Sequence, residues 1–163
     1  MGQPPRDHPD AGRAAELLRP FIGHWRGLTE IASSPWGPAR TAEAEVVFTV
    51  AAGGHAVVQS YRHREPDGGH LEGHGMFTVD PGHGGTLWYY VDSMGRPPAA
   101  PVRGLWSAGV LTLERRTDDG VARHTFRIED DVLVHTAELR LEAKRGEGRP
   151  AFRPLLKSVF RRD

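Results

Sequence analysis

The 163-residue chain has no cysteine. That excludes a disulfide framework, thiolate chemistry, zinc ribbons and iron–sulfur ligation. It has no excess of charge either: 21 basic and 21 acidic side chains cancel. No overall field therefore draws it to nucleic acid or to anionic lipid, and neither is expected as a partner. Lysine is almost missing, with only Lys144 and Lys157 beside 19 arginines. An Arg, Ala, Gly and Pro bias of this kind is what a GC-rich genome produces, so the arginines do not signal phosphate recognition. No apolar run approaches the roughly 18 residues that a helical membrane span needs. Met1 to Asp10 lacks the apolar core of a signal peptide, so a cytoplasmic location is expected. Phosphate loops, dinucleotide fingerprints and Gly-x-Ser-x-Gly elbows are also missing. Asp92-Ser93, before Met94-Gly95, reads as a turn rather than as part of a nucleophile.

Glycine (20) and proline (13) are abundant, about one residue in five together. That surplus argues for many turns joining short elements and against a helical bundle. The length suits one domain, placed at 11–163 after a disordered polar tail at 1–10 that carries Pro4, Pro5 and Pro9. Asp10 can N-cap a short helix with Ala14, Leu17, Leu18 and Phe21 on one face, ending near Arg19 because of Pro20. A helix this short does not stand alone, so its apolar stripe must cover something.

Beyond it the hydrophobic period becomes two. Trp25, Gly27, Thr29 and Ile31 share one face, and Ala42, Ala44, Val46, Phe48 and Val50 form another clean series. Further strands are expected at 55–64, 70–79, 86–92, 105–115, 121–129, 132–142 and 155–162, with turns at Pro66–Gly69, Asp80–Gly82 and Pro97–Pro101. The fold class is all-β. Nine or ten strands joined by short connections predict an up-and-down antiparallel β-barrel of about ten strands, with the helix closing one end.

The last long hairpin is the most informative. With Asp130-Asp131 as its turn, Phe126 lies opposite His135, Ile128 opposite Leu133 and His124 opposite Ala137. One face then holds Ala122, His124, Phe126, Ile128, Leu133, His135, Ala137, Leu139 and Leu141, and must be interior. Two histidines on it are either core residues with satisfied hydrogen bonds, or a haem or metal ligand, or acid/base groups in a cavity.

A second cluster lies on the 55–79 hairpin. A two-residue Asp67-Gly68 turn sets His63 beside Glu72, Tyr61 beside His74 and Gln59 beside Met76. Read one way this is a divalent-cation site, read another a solvated polar face, because Ala56, Val58, Phe77 and Val79 opposite are at least as apolar, and read a third a polar patch in the cavity wall. His70 and His74 lie about 13 Å apart on a strand, too far to share a metal. Which face of this hairpin is interior stays open. In 86–92, alternate rings of Trp88, Tyr89 and Tyr90 either pack or line an apolar pocket.

The segments FIGHWRG (21–27), GGHAVVQSY (53–61) and LEGHGMFTVDPGHGGTLWYYVDSMG (71–95) resemble a bacterial family of calycin-like barrels of unknown function. The resemblance covers roughly residues 17 to 95, and more loosely the closing strand ending Val159-Phe160-Arg161-Arg162. It implies a ten-stranded barrel close to fatty-acid-binding and nitrobindin-type folds, and no established activity. Nitrobindin-like haem barrels start with Gly-x-Trp-x-Gly-x-Gly and carry a histidine on a late strand. Here Thr29 replaces the third glycine, and His135 would stand in for the ligand. Calycins cover the first tryptophan with an arginine of the closing strands, so Trp25 should lie under Arg161 or Arg162.

The expected function is to bind a small hydrophobic or amphipathic molecule in the barrel. His124 and His135 would be polar anchors among Phe48, Val57, Gln59, Tyr61, Trp88, Tyr90 and Phe126. Haem through His135 is its sharpest form, and a homodimer is left open. The alternatives are an enzyme that uses a histidine to move a proton on a small metabolite, and a solid-cored structural or interaction domain.

Overall fold

In the computed structural model, which describes residues 13–80, 82, 85–96 and 100–163, ten strands follow one another in a meander. They are β1 (Gly23–Ile31), β2 (Arg40–Ala51), β3 (Ala56–Arg64), β4 (His70–Val79), β5 (Thr86–Asp92), β6 (Val102–Ser107), β7 (Val110–Thr117), β8 (Gly120–Glu129), β9 (Val132–Leu141) and β10 (Arg153–Arg162). Each pairs antiparallel with its sequence neighbours, and β1 pairs with β10, so the sheet closes on itself. Closure leaves no edge strand exposed to pairing with another chain. The tail at 1–10, the Asp10 cap and the turn residues Pro81, Pro97 and Pro98 lie outside the described residues. No helix among the described residues is long and apolar enough to cross a membrane.

One end of the barrel is plugged. The helix α1 (Arg13–Leu17) and a 3₁₀ turn (Arg19–Phe21) bury Ala14, Leu18 and Phe21. Phe21 reaches the rings of Phe48, Trp106 and Phe126 at centroid distances of 5.9, 5.8 and 6.4 Å. Pro20 sits within the 3₁₀ turn, at its start, where a missing N–H costs nothing.

The seam is fastened at the same end. Trp25 is 1% exposed, and its Nε1 donates to the Phe21 carbonyl at 2.7 Å. The Arg162 guanidinium lies 4.3 Å from the Trp25 ring centroid and donates to the carbonyls of Ile22 and Pro20. Arg161, paired with Arg26 in the ladder, is exposed. Gly27 lets the two strands approach: a Cβ there would fall 1.8 Å from the Val159 carbonyl oxygen.

Three local expectations are corrected. The strand expected at 105–115 is a hairpin, β6 and β7, turning at Ala108 (φ +50°) and Gly109 (φ +77°). This supplies the tenth strand and reverses which residues face inward on either side of the turn. The β3–β4 turn spans three residues, not two. Glu65 N–H donates to Gly69 O and Gly68 N–H to Glu65 O, with Gly68 at φ +93°. Pairing therefore moves by one residue: His63 faces Leu71, Tyr61 faces Gly73 and Gln59 faces Gly75. Finally, Val50 and Leu141 share the parity of the interior but are 43% and 45% exposed, because they lie at strand ends beyond the packed core.

Candidate functional site

The register places two unlike halves inside the barrel. Toward the plug the interior is aromatic: Phe48, Phe77, Phe126 and Trp88 are buried with ring centroids 5.9–6.4 Å apart, and Val57 is buried on β3. Toward the open end the inward residues are polar. Ser158 Oγ and Thr29 Oγ1 lie 2.7 Å apart, Thr29 Oγ1 and Tyr61 OH 3.0 Å, and Tyr61 OH and His63 Nδ1 2.8 Å, a continuous buried hydrogen-bonded chain. Gln59 Oε1 accepts from Trp88 Nε1 at 3.2 Å. Glycine makes room on β4. A Cβ at Gly75 would meet Gln59 and Trp88, and one at Gly73 would lie 2.1 Å from the Tyr90 hydroxyl.

Across the lumen, β8 and β9 pair as the Asp130-Asp131 turn dictates: Phe126 opposite His135, Ile128 opposite Leu133, His124 opposite Ala137. His124 Nδ1 and His135 Nε2 are 3.0 Å apart, with the two rings nearly parallel at 11°. His135 also stacks on Phe126, centroids 4.3 Å apart, and Trp88 presents an edge to His124 at 5.1 Å. Tyr90 lies 4.9 Å from Trp88, while Tyr89 points outward. Both histidines are half-buried on inward-facing strand positions. His124 Nε2 is buried without a hydrogen-bond partner.

Enclosure sets the protonation. Burial pushes His135 down to about 4. Burial also holds His124 well below the ordinary imidazole value, with His135 and the Arg115 cation adding to the effect. His63 is lowered mainly by burial, against an opposing pull from Glu65. The Tyr61 and Tyr90 hydroxyls are raised, chiefly by burial. At neutral pH the three histidines are therefore uncharged, each with one ring N–H to give and one lone pair to accept.

Arg115 belongs to this group, and sequence reading misses it. Its guanidinium carbon lies 4.9 Å over the Tyr90 ring, and its Nε is buried without a partner. The signal was the alternation Leu111, Leu113, Arg115. With 105–115 read as one strand, that face could not be assigned to the interior.

The 55–79 cluster separates. The one-residue shift puts His63 inside, while Glu72 and His74 pair with each other outside at 2.9 Å. No group of three His, Cys, Asp or Glu among the described residues could hold a metal ion. Asp92 and Ser93 form a turn: Asp92 Oδ1 accepts from Met94 N–H, and Ser93 Oγ from Glu72 N–H. Haem does not fit His135 as it stands. Axial ligation needs a free imidazole lone pair facing an open slot. Here Nε2 is engaged by His124, and stacking on Phe126 fixes the ring in that orientation.

At the open end a recess of about 700 Å³ lies where β1, β2, β9 and β10 meet, lined by Ile31, Arg40, Ala137, Pro154 and Leu156 among others. Ala137, on this lining, is the ladder partner of His124.

No protein-family model matches the chain, and no curated protein matches it. Solved structures do. The chain is similar over 92% of its length to Rv2717c from M. tuberculosis, with a TM-score of 0.67, 18% identity and 97% of that chain covered. It is similar over 98% of its length to the S-type phycobiliprotein lyase CPES from Guillardia theta, with a TM-score of 0.64, 13% identity and 98% of that chain covered. At such identities the likeness is one of fold, and the fold is a ten-stranded β-barrel of the calycin-like type.

Proposed function

We propose that the protein binds a small amphipathic molecule in the half of the barrel away from the plug. His124 and His135 form one wall with Trp88 and Tyr90, Tyr61 and Gln59 the other, and Phe126, Phe48 and Val57 the floor. The observation that carries this reading is the buried, unpartnered Nε2 of the inward-facing His124. Native interiors leave few polar atoms without partners, and such an atom is a place for a ligand's polar group. The apolar body of the ligand gains about 25 cal/mol per Å² of surface buried against the rings. The misfit at His135 takes haem out of this reading.

A second reading has one specific observation in its favour. The Ser158–Thr29–Tyr61–His63 chain links two hydroxyls, a phenol and an uncharged imidazole in a buried line. Such a line suits an enzyme that moves a proton to or from a bound metabolite.

The test of binding is a titration with N-phenyl-1-naphthylamine, a neutral apolar fluorophore. The expected result is saturable one-site emission with Kd of about 1–50 µM, or roughly −8 to −6 kcal/mol. Excitation should transfer from tryptophan to the probe and fall in Trp88→Phe. Hemin added in parallel should give no Soret shift that His135→Ala removes. Failure of the neutral probe to bind would leave the barrel a solid-cored structural domain.

A further inference from the structure

Arg115 on β7 and His124 on β8 point into the lumen two rungs apart, since Leu113 is the ladder partner of His124 and Ala122 that of Arg115. Each carries a buried nitrogen without a hydrogen-bond partner, Nε on the arginine and Nε2 on the histidine. We infer that Arg115 and His124 together form an anion site, so that the barrel's ligands are organic acids whose carboxylate lies between the guanidinium and the imidazole. The inference rests on the lumen-binding reading and names its ligand class.

The surrounding charges support an anion. No carboxylate pairs with Arg115 among the described residues; its guanidinium lies over the Tyr90 ring and its charge is felt at His124. Two acidic groups act on the tyrosines of this end, Glu65 on Tyr61 and Asp92 on Tyr90. Glu65 pairs with Arg40, and Asp92 accepts the Met94 N–H in its turn. The histidines contribute no charge of their own, so the cationic group here is Arg115, half-buried, with an enclosed Nε that has no hydrogen-bond partner. Such a group is costly to enclose alone and favourable to enclose against a carboxylate that takes charge-assisted hydrogen bonds.

The imidazole pair adds selectivity through its tautomers. When His135 Nε2–H donates to His124 Nδ1, the proton of His124 sits on Nε2, the nitrogen without a partner. A carboxylate would select that tautomer, because it accepts from both His124 Nε2–H and Arg115 Nε–H. A neutral ligand would leave the guanidinium unpaired. The tilted rings of Trp88 and Tyr90 lie next to this pair and would take an aromatic or acyl body.

Two probes that share a fluorophore separate the claims. N-phenyl-1-naphthylamine is neutral, and 1-anilinonaphthalene-8-sulfonate adds one negative charge to nearly the same body. Arg115→Gln is expected to weaken the sulfonate probe about tenfold or more and the neutral probe by less than about twofold, as loss of one charge-assisted contact requires. Phe152→Ala removes the outer stack formed with Arg123 and Arg140 and should leave both affinities unchanged. Equal loss of both probes in Arg115→Gln, or loss of neither, overturns the anion site. Failure of the neutral probe to bind the wild-type protein overturns the lumen reading beneath it. The wild-type protein supplies an arm that needs no variant: dodecanoate should displace the neutral probe at lower concentration than dodecanol. Displacement by dodecanol as effective as by dodecanoate contradicts the inference.

Discussion

His124 and His135 share one hydrogen bond, so one ring donates and the other accepts, and both must be neutral for the pair to be held without a buried charge. Folding takes His135 from the ordinary imidazole value of 6.5 to about 4 and also holds His124 well below that ordinary value. Between those values the unfolded chain binds protons that the folded barrel refuses. Stability from these groups is therefore complete above pH 6.5 and is lost as pH falls toward 4, and His63 adds to the loss with the same sign. For His135 alone the loss on going from about pH 7.5 to about pH 5 is of order 2 kcal/mol. Urea-unfolding midpoints at the two pH values measure it: the midpoint should drop in acid, and His135→Phe should make the drop smaller. An unchanged drop in that variant would place the titration elsewhere.

Strands and turns decide which residues meet inside, and Gly27 shows how little tolerance the closure has. A methyl group at this position would sit 1.8 Å from the Val159 carbonyl, against backbone that cannot move without opening the β1–β10 seam. Gly27→Ala should cost about 3 kcal/mol or more, or prevent folding, as a drop in thermal midpoint or loss of the near-ultraviolet tryptophan signal would show. A midpoint near that of the wild type would mean that the seam can part. The β8–β9 hairpin was legible in the sequence because clean alternation flanks a turn whose aspartates adopt positive φ, +48° and +63°, as Asp tolerates. The β6–β7 turn was not legible. Alanine at φ +50° is an uncommon turn residue, and Ser107-Ala108-Gly109-Val110 carries neither proline nor asparagine. The β3–β4 turn was visible in Pro66-Asp67-Gly68, but its length was not. One extra turn residue moved Glu72 and His74 to the outside. Arg115 stayed hidden for the same reason as the β6–β7 turn: its face depends on where the strand breaks.

As a whole, the barrel is asymmetric along its axis. The plugged end is packed with aromatic rings and fastened by Trp25 and Arg162. The other half holds a hydroxyl–imidazole chain, a neutral histidine pair and an arginine with no carboxylate partner among the described residues. The central claim is that this polar half receives a ligand against the histidine pair. Long-range ¹H–¹⁵N correlation spectra of the imidazoles at neutral pH, recorded with and without N-phenyl-1-naphthylamine, test it most directly. His124 and His135 should give neutral-imidazole patterns and move on addition of the probe, while the exposed His74 does not. A charged pattern for the pair, or a probe that binds without moving either residue, would contradict it.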